Sequence, residues 1–255
     1  MRFPIPMLLA ASIVLASTAS SQTVSYQVGA FPPASWEEHI LAIDPDSWSH
    51  SATATATGGN PGDALQLEFS APRMTPGSHQ LIVAWMNGGL AYDPSASGAV
   101  ERFAFAIDAA GLFSSGISGT FYGYLRPMIQ QDGNLFSVGS SSLQIPSSDW
   151  TTMSWNWLAT DNWITAPGVP VGALPDFSAS GAPITFGFRL DVGLTCNAQT
   201  GSLCSAPAFG AIVDNFRVDV WAMPSTSVPE PSSLLLLAAG VGVLLLSGRL
   251  RKRAA

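Results

Sequence analysis

The sequence predicts an all-β fold, a two-sheet antiparallel β-sandwich of the jelly-roll kind spanning residues 22–221. Three observations carry this prediction. Apolar and polar residues alternate in segment after segment, with the period of two that is typical of half-buried strands. Clusters of Gly, Pro, Asn and Asp separate these segments, as turns separate antiparallel strands. Helical periodicity is hard to find. A body of this size buries about 70% of its unfolded surface in a single core, so it needs no second domain.

Eight segments carry the strand pattern: Leu65–Phe69, Leu81–Met86, Phe103–Ile107, Tyr122–Ile129, Leu135–Val138, Thr151–Leu158, Ile184–Leu190 and Ala211–Trp221. Between two of them, Gln131-Asp132-Gly133-Asn134 is a strong hairpin signal. The alternation of small residues in Ser49–Thr57 indicates an edge strand or a flexible lead-in. The pattern leaves room for two short helices, of which Ser35–Ile43 is the best candidate, because Ser35 can cap it and Glu38 follows three residues later.

The last strand places an acidic residue among apolar ones. Alternation puts Asp214 on the same face as Phe216 and Val218, so its carboxylate is expected to approach the core. A buried carboxylate must be paired, hydrogen-bonded or bound to a metal. Asp214 is therefore expected either to accept backbone N–H groups at a sheet end or to bind a structural Ca²⁺, an ion that favours oxygen ligands.

The charge of the body excludes one class of partner. Residues 22–227 contain sixteen acidic residues and five arginines, which gives a net charge of −11. Phosphate backbones would be repelled by such a surface, so nucleic-acid binding is not expected.

The N-terminus has the pattern of a secretory signal peptide. Arg2 is followed by a mostly apolar stretch from Pro4 to Ala16 and then by small residues up to Ser21. The apolar run is too short and too interrupted by proline for a membrane anchor. We expect residues 1–21 to be cleaved and the body to be exported.

The C-terminus contains an uncharged apolar stretch of transmembrane character. Ser232–Gly248 has 17 residues, with its Leu-rich part running from Leu234 to Gly248. As a helix it is slightly shorter than the bilayer core of about 30 Å, which flanking arginines can compensate by snorkelling. The basic residues that follow, Arg249, Arg251, Lys252 and Arg253, are expected to stay cytoplasmic and leave the body outside.

The motif in front of this stretch distinguishes the tail from an ordinary membrane anchor. Val228-Pro229-Glu230-Pro231, a Leu-rich span and a terminal Arg/Lys cluster together resemble the PEP-CTERM sorting signal of Gram-negative bacteria. The resemblance covers residues 228–255, after a linker at 222–227. It implies recognition by exosortase, a tether in the inner membrane before processing, and release to the outer envelope or the extracellular matrix. A permanent single-span anchor is the alternative.

Cys196 and Cys204 are the only cysteines. In an exported chain this pair is expected to form one disulfide, since two thiols alone provide too few ligands for a metal. The bridge would constrain the unfolded chain by roughly 2–3 kcal/mol.

The motifs of common enzymes are missing from the sequence. His39, His50 and His79 are the only histidines, and neither a nucleophile elbow nor a zinc-protease motif is present. Sixteen acidic residues always permit some pair suited to glycoside hydrolysis after folding. A non-enzymatic role is therefore expected, with an extracellular glycan hydrolase as the alternative.

Two further segments point to carbohydrate. Asp214-Asn215-Phe216, and Trp48 followed by Gly58–Gly62, resemble the carbohydrate-binding, lectin-like and laminin-like jelly rolls. Four tryptophans also lie close together at 150, 155, 157 and 163; their rings could stack on sugars or pack in the core. Trp155 and Trp157 are expected in the core and Trp163 is the expected exposed stacking residue. The sequence thus predicts an exported module that binds extracellular polysaccharide or has a structural role in the matrix.

Overall fold

A computed structural model describes residues 21–29, 31–32, 35–43, 48–115, 119–139, 142–146, 148–167, 172–197 and 203–223. The chain divides into two compact units, residues 1–224 and residues 225–255, and the second lies wholly outside the described residues. The predicted cleavable segment up to residue 20 and the sorting signal at 228–255 also lie outside them, together with the apolar stretch at 232–248. Among the described ranges, no helix has the length and apolar character needed to cross a bilayer.

The described part of the chain contains thirteen strands and one short helix. The strands are β1 Gln22–Val28, β2 Trp36–Ile43, β3 Ser49–Gly59, β4 Gly62–Ser70, β5 Gly77–Tyr92, β6 Ala99–Ser115, β7 Gly119–Gln131, β8 Asn134–Val138, β9 Leu143–Gln144, β10 Thr151–Leu158, β11 Trp163–Thr165, β12 Ile184–Cys196 and β13 Ala208–Met223. The helix α1, Pro94–Ser97, is a single turn capped by the side chain of Asp93. The all-β prediction is confirmed.

The strands form two antiparallel sheets. The first sheet has the order β10-β6-β13-β4-β3, and β1 also pairs with β13. The second sheet has the order β11-β8-β7-β12-β5-β2, and β9 also pairs with β7. The main core contains side chains from both sheets and is rich in aromatic rings, among them Phe103, Phe105, Phe186, Phe188 and Phe216. These two sheets confirm the predicted sandwich.

Two of the smaller predictions are confirmed. Asp132 and Gly133 have positive φ angles of 51° and 75°, as a two-residue hairpin turn between β7 and β8 requires. Cys196 and Cys204 form a disulfide. The bridge joins Cys196, at the end of β12, to Cys204. Outside the two sheets, Cys204 forms an isolated antiparallel β-bridge with Met74.

The helix expected over Ser35–Ile43 is wrong, because this segment is β2, an edge strand of the second sheet. The capping signature at Ser35 and Glu38 is a local signal, and pairing with β5 overrides it. Trp36 stacks on Phe31 with ring centroids 5.1 Å apart, which a strand allows by directing alternate side chains to the core. Ser49–Thr57 lies in the edge strand β3. Of the two alternatives given for this segment, an edge strand or a flexible lead-in, the first is therefore confirmed.

A bulge interrupts β13 at Asp214 and Asn215. On one edge of β13, β4 pairs up to Val213 and β1 pairs from Phe216 onward, so the partner changes at the two residues between. Asn215 has a φ of 50°, a left-handed conformation that asparagine tolerates better than most residues. Because of the bulge, Val213 and Phe216 both face the main core.

Candidate ligand-binding face

The outer face of the second sheet, opposite the main core, carries a concentrated set of polar and aromatic side chains. Its central strand β12 lies between β7 and β5. Three residues of β12 alternate with core residues and point to this face, namely Arg189, Asp191 and Gly193. Residues opposite them in register are Arg126, Tyr124 and Tyr122 on β7. We call these six residues the ligand face.

The aromatic part of the ligand face is a pair of tyrosines. The ring centroids of Tyr122 and Tyr124 are 5.3 Å apart, with 34° between the ring planes. A Cβ added at Gly193 would lie 1.9 Å from Cζ of Tyr122, so the ring lies directly over this glycine. Burial, followed by the charge of Asp191, raises the pKa of Tyr122 and keeps its hydroxyl neutral. The two rings are partly exposed and offer a flat apolar surface.

The charged part of the ligand face is an Arg–Asp–Arg cluster. Nη2 of Arg189 donates to Oδ2 of Asp191 at 2.9 Å, and Nε of Arg189 lies 2.8 Å from Oδ1. Nη2 of Arg126 is 4.0 Å from Oδ2 of the same carboxylate. Arg126 also donates through Nη1 to the carbonyl of Gly139 at 3.0 Å. Burial, together with the neighbouring Arg189 guanidinium, lowers the pKa of Arg126.

Several polar atoms around this cluster have no hydrogen-bond partner among the described residues. Arg126 and Arg189 are only 9% and 5% exposed, and Ser137 is fully buried. The unpartnered buried atoms include Nε of Arg126, Nη1 of Arg189, Oγ of Ser137 and Nε2 of His39. His39 lies on the same register row as Arg189, with Ala84 between them. Buried polar groups without a partner are costly, so a polar group that reached these atoms would be bound favourably.

Apolar side chains border the charged cluster on the same face. A small cluster contains Ala84, Met86, Met128, Leu135 and Ala166, with Leu41 packed against it. Met86 lies over Gly187 of β12, where a Cβ would be 2.7 Å from its sulfur. Alternating polar and apolar contacts of this kind are typical of small-molecule and sugar sites.

Asp214 is fully buried, as expected, but not in the main core. The bulge places it outside the core face shared by Val213 and Phe216, so the predicted sharing of a face with Phe216 is wrong. Its Oδ2 accepts the backbone N–H of Asn60 at 2.6 Å and its Oδ1 accepts that of Asn215 at 2.6 Å. This is the hydrogen-bonded arrangement that the sequence offered as one of two alternatives.

A second carboxylate, Asp108, pairs in register with Asp214 across β6 and β13. Its oxygens accept from the hydroxyl of Thr152 at 2.5 Å and from the side-chain amides of Asn215 at 2.9 Å and Asn60 at 3.3 Å. The amide of Asn215 also donates to the carbonyl of Asn60. Among the residues that the structure describes, no group of three or more His, Cys, Asp or Glu is arranged to hold a metal.

The exposed tryptophan expected at position 163 is not exposed. Trp163 retains 5% exposure and packs edge-on against Trp157, with centroids 5.3 Å apart and an interplanar angle of 88°. Its Nε1 donates to the carbonyl of Leu158 at 3.1 Å. A ring enclosed in this way has no free face for a sugar. Trp155 and Trp157 lie in the main core as predicted.

Sequence reasoning missed the ligand face because it followed the tryptophans. A signal was available in the strands it did identify. In Tyr122-x-Tyr124-x-Arg126 and Arg189-x-Asp191-x-Gly193 the polar or small residues recur every second position, which assigns them to one face of adjacent strands. What the sequence does not give is the register that brings the two triplets side by side.

Comparison with known proteins characterises the tail. Residues 227–252 match the family model of the PEP-CTERM protein-sorting motif, which confirms the resemblance found in the sequence. This motif implies an exported, cell-envelope-associated protein of a Gram-negative bacterium that is processed by exosortase. None of the curated proteins compared with the chain matches it.

Solved structures similar to the chain include carbohydrate-binding and adhesin domains. The CBM22-1 xylan-binding domain of Paenibacillus barcinonensis Xyn10C is 10% identical, with 81% of this chain and 99% of that chain covered and a TM-score of 0.34. The C-terminal family 22 carbohydrate-binding module of Clostridium thermocellum Xyn10B is 9% identical over 78% and 96%, with a TM-score of 0.31. The K1 cleaved adhesin domain of Lys-gingipain from Porphyromonas gingivalis is 12% identical over 79% and 98%, with a TM-score of 0.28.

Proposed function

We propose that the body of this exported protein binds extracellular polysaccharide without acting on it, and that the ligand face is the binding site. The observation that carries the proposal is the position of the paired Tyr122 and Tyr124 beside buried, unpartnered hydrogen-bond donors. A sugar ring has apolar C–H faces and a rim of hydroxyls. Aromatic rings contact the faces, while charged and amide groups bond the hydroxyls.

The chemistry of the ligand face suits binding rather than hydrolysis. A glycosidase needs two carboxylates roughly 5–10 Å apart, one of which is protonated. Asp191 is engaged by the guanidinium of Arg189 rather than free to face a substrate. The other acidic residue on this face, Glu37, lies on the edge strand β2 and is 72% exposed. One carboxylate is held by an arginine and the other is open to solvent, which does not match the pair of facing carboxylates that a glycosidase uses.

The test is a glycan-binding measurement on the purified full-length chain with a panel of extracellular polysaccharides. Tyr122→Ala and Tyr124→Ala are each expected to weaken binding by about tenfold, because each removes one stacking surface. Phe113→Ala is the matched control. Phe113 is also an exposed aromatic ring that lies over a glycine, Gly210, but it belongs to the first sheet.

Two other results would redirect the proposal. Absence of binding to every polysaccharide would leave a structural role in the matrix as the better function. Release of reducing sugar by the wild-type chain, lost in Asp191→Asn, would instead support the glycan hydrolase.

The structural Ca²⁺ predicted at Asp214 remains a second proposal. Asp108 and Asp214 are both buried, and neither forms a salt bridge within the described part of the chain. The oxygens gathered here are those of the two carboxylates and the carbonyl of Asn60, while the side-chain amides of Asn60 and Asn215 direct their nitrogens at Asp108. Carboxylate and carbonyl oxygens are the ligands that Ca²⁺ prefers. A half-turn of either amide would exchange its NH₂ for its oxygen.

Calorimetry and thermal unfolding test this proposal. We expect Ca²⁺ to raise the Tm of the wild-type chain by several degrees and to have no effect on Asp214→Asn. Asp149→Asn, at an exposed position outside the strands, serves as the control. If the wild-type chain shows neither heat of binding nor a shift in Tm, the hydrogen bonds alone hold Asp214.

A further inference from the structure

The charges on the ligand face do not balance. Arg126 and Arg189 face each other in register on adjacent strands, and among the described residues Asp191 is the single carboxylate within 4.0 Å of either guanidinium. Arg189 donates through Nη2 to Oδ2 of that carboxylate at 2.9 Å, and its Nε lies 2.8 Å from Oδ1. Nη2 of Arg126 is 4.0 Å from Oδ2 of the same carboxylate. In the described part of the chain, Arg126 therefore has a single, long ion pair, and it shares that carboxylate with Arg189.

Arg126 is too buried for water to compensate its charge fully. Its side chain is 10% exposed, and the carbonyl of Gly139 satisfies Nη1 while Nε has no partner. Leaving a buried charge without its counter-ion is among the more destabilising arrangements in proteins. An anion that entered the ligand face would therefore relieve a cost already present in the unliganded fold.

Within the described ranges, the neighbouring strands place no second carboxylate against Arg126. The β5 residues beside the cluster, Ile82, Ala84 and Met86, are apolar, and β8 contributes the hydroxyl of Ser137. From the edge strand β2, His39 lies in the row of Arg189, while Glu37 is largely exposed and 3.6 Å from His39. An exposed carboxylate at the sheet edge is screened by water and salt.

We propose that the ligand is an acidic polysaccharide, and that Arg126 and Arg189 bind the carboxylate of a uronic acid residue. This inference rests on the proposed sugar-binding function and names the class of sugar. Guanidinium groups bind carboxylates through parallel N–H···O bonds, which neutral hydroxyls do not match in strength. Tyr122 and Tyr124 lie in the next rows of the same face, where they contact the ring that carries the carboxylate or its neighbour.

Because the body is negatively charged overall, its binding of an acidic polysaccharide has to depend on contacts within the ligand face. With a net charge of −11 over residues 22–227, the body repels a polyanion at long range. Binding to an acidic glycan therefore cannot arise from a general electrostatic attraction. It requires specific contacts such as those of the two buried arginines.

The test compares polyuronates with their carboxyl-reduced forms. Polygalacturonate, alginate and hyaluronate are each measured against the full-length chain before and after chemical reduction of the carboxylates to alcohols. We expect wild-type protein to bind at least one polyuronate about tenfold more tightly than its reduced form, since a charge-assisted hydrogen bond is replaced by a neutral one. This comparison needs no variant, so it does not depend on whether a variant folds.

Variants then assign the preference to the arginines. Arg126→Gln is expected to abolish the preference for the unreduced polymer, and Arg126→Lys to retain part of it, because a lysine keeps the charge without the planar fork. The control is Arg217→Gln, an arginine on the first sheet that pairs with Asp219. It is expected to bind like wild type.

The results separate this inference from the function on which it rests. Equal affinity for reduced and unreduced polymers, with both lost in Tyr122→Ala, would overturn the acidic specificity and leave sugar binding in place. A preference unchanged in Arg126→Gln would also overturn it. Absence of binding to every polymer, neutral or acidic, would overturn both.

Discussion

Trp163 shows how a single side chain can have the chemistry of a binding residue and the position of a core residue. The three residues before it, Thr160–Asn162, are polar, but β11 is only three residues long and directs the ring inward. There it contacts Phe103, Trp157 and Phe177 with centroid distances between 5.0 and 5.8 Å. Polar residues beside an aromatic residue in the sequence therefore say little about the exposure of its ring. In a strand, alternate side chains point to opposite faces, so the ring can lie in the core while its neighbours face solvent.

The buried Tyr92 makes stability sensitive to alkaline pH. Its hydroxyl donates to the carbonyl of Gly98 at 2.6 Å, and burial raises the pKa of Tyr92 to about 12. Since the folded state holds this proton more tightly than the unfolded state, the stabilisation is present below pH 10 and is lost as pH rises through about 12. We expect Tyr92→Phe to flatten the loss of stability in that window, measured by urea unfolding at a series of pH values.

Other tyrosines also contribute to the loss of stability at alkaline pH, so the variant has to be compared with the wild-type chain. Tyr26 and Tyr122 also have raised pKa values, mainly through burial, so some alkaline destabilisation should remain in the variant. Identical pH profiles for wild type and Tyr92→Phe would contradict the assignment to Tyr92.

At the scale of elements, β1 joins the two sheets through one residue. Tyr26 of β1 lies in the first sheet, yet its hydroxyl donates to the carbonyl of Ala91 in β5 at 2.8 Å. Its ring also contacts Phe186 of β12, with centroids 5.5 Å apart. We expect Tyr26→Ala to lower the free energy of unfolding by about 2–3 kcal/mol, because the ring is only partly buried. Urea unfolding monitored by tryptophan fluorescence gives the value.

An exposed neighbour on the same strand provides the control for β1. Ser25 points away from the core, so Ser25→Ala should change the free energy of unfolding by no more than about 0.5 kcal/mol. Equal effects of the two substitutions would mean that β1 does not connect the sheets.

The accuracy of sequence reasoning also differs from element to element. Strands such as β10 were predictable because Met153, Trp155 and Trp157 alternate without interruption. The hairpin at Asp132 was predictable because its turn residues are a local requirement. The edge strand β2 was not, since its pairing with β5 is a long-range contact that competes with a local capping signal. The face of Asp214 was assigned wrongly because simple alternation does not reveal a bulge. One extra residue in a strand reverses the face assignment of the residues on one side of it.

The candidate site was less predictable than the fold. Alternation indicates which residues of β7 and β12 share a face, but register decides that Arg126 meets Arg189 and that Tyr122 meets Gly193. Pairing of β12 with both β7 and β5 depends on distant parts of the chain. Chemistry that arises from such neighbours becomes visible only after folding.

At the scale of the whole molecule, the tail predicts a defined processing event. We expect the mature protein to end near Val228-Pro229-Glu230-Pro231 and to lack the residues from Leu234 to the C-terminus, because the matched motif implies exosortase processing. Mass spectrometry of the intact exported protein measures both termini in one experiment. Recovery of a mature form that retains the apolar stretch and the basic cluster would indicate a permanent membrane anchor instead.

The position of β13 in the first sheet also governs the order of folding. β13 is the last strand of the body, and β1, β4 and β6 all pair with it. Before it is available, the first sheet consists of three fragments: β1 alone, the β3–β4 hairpin, and the β6–β10 pair. Among the described strands β13 comes last in the chain, so the first sheet cannot be completed until Ala208–Met223 is available to pair with β1, β4 and β6.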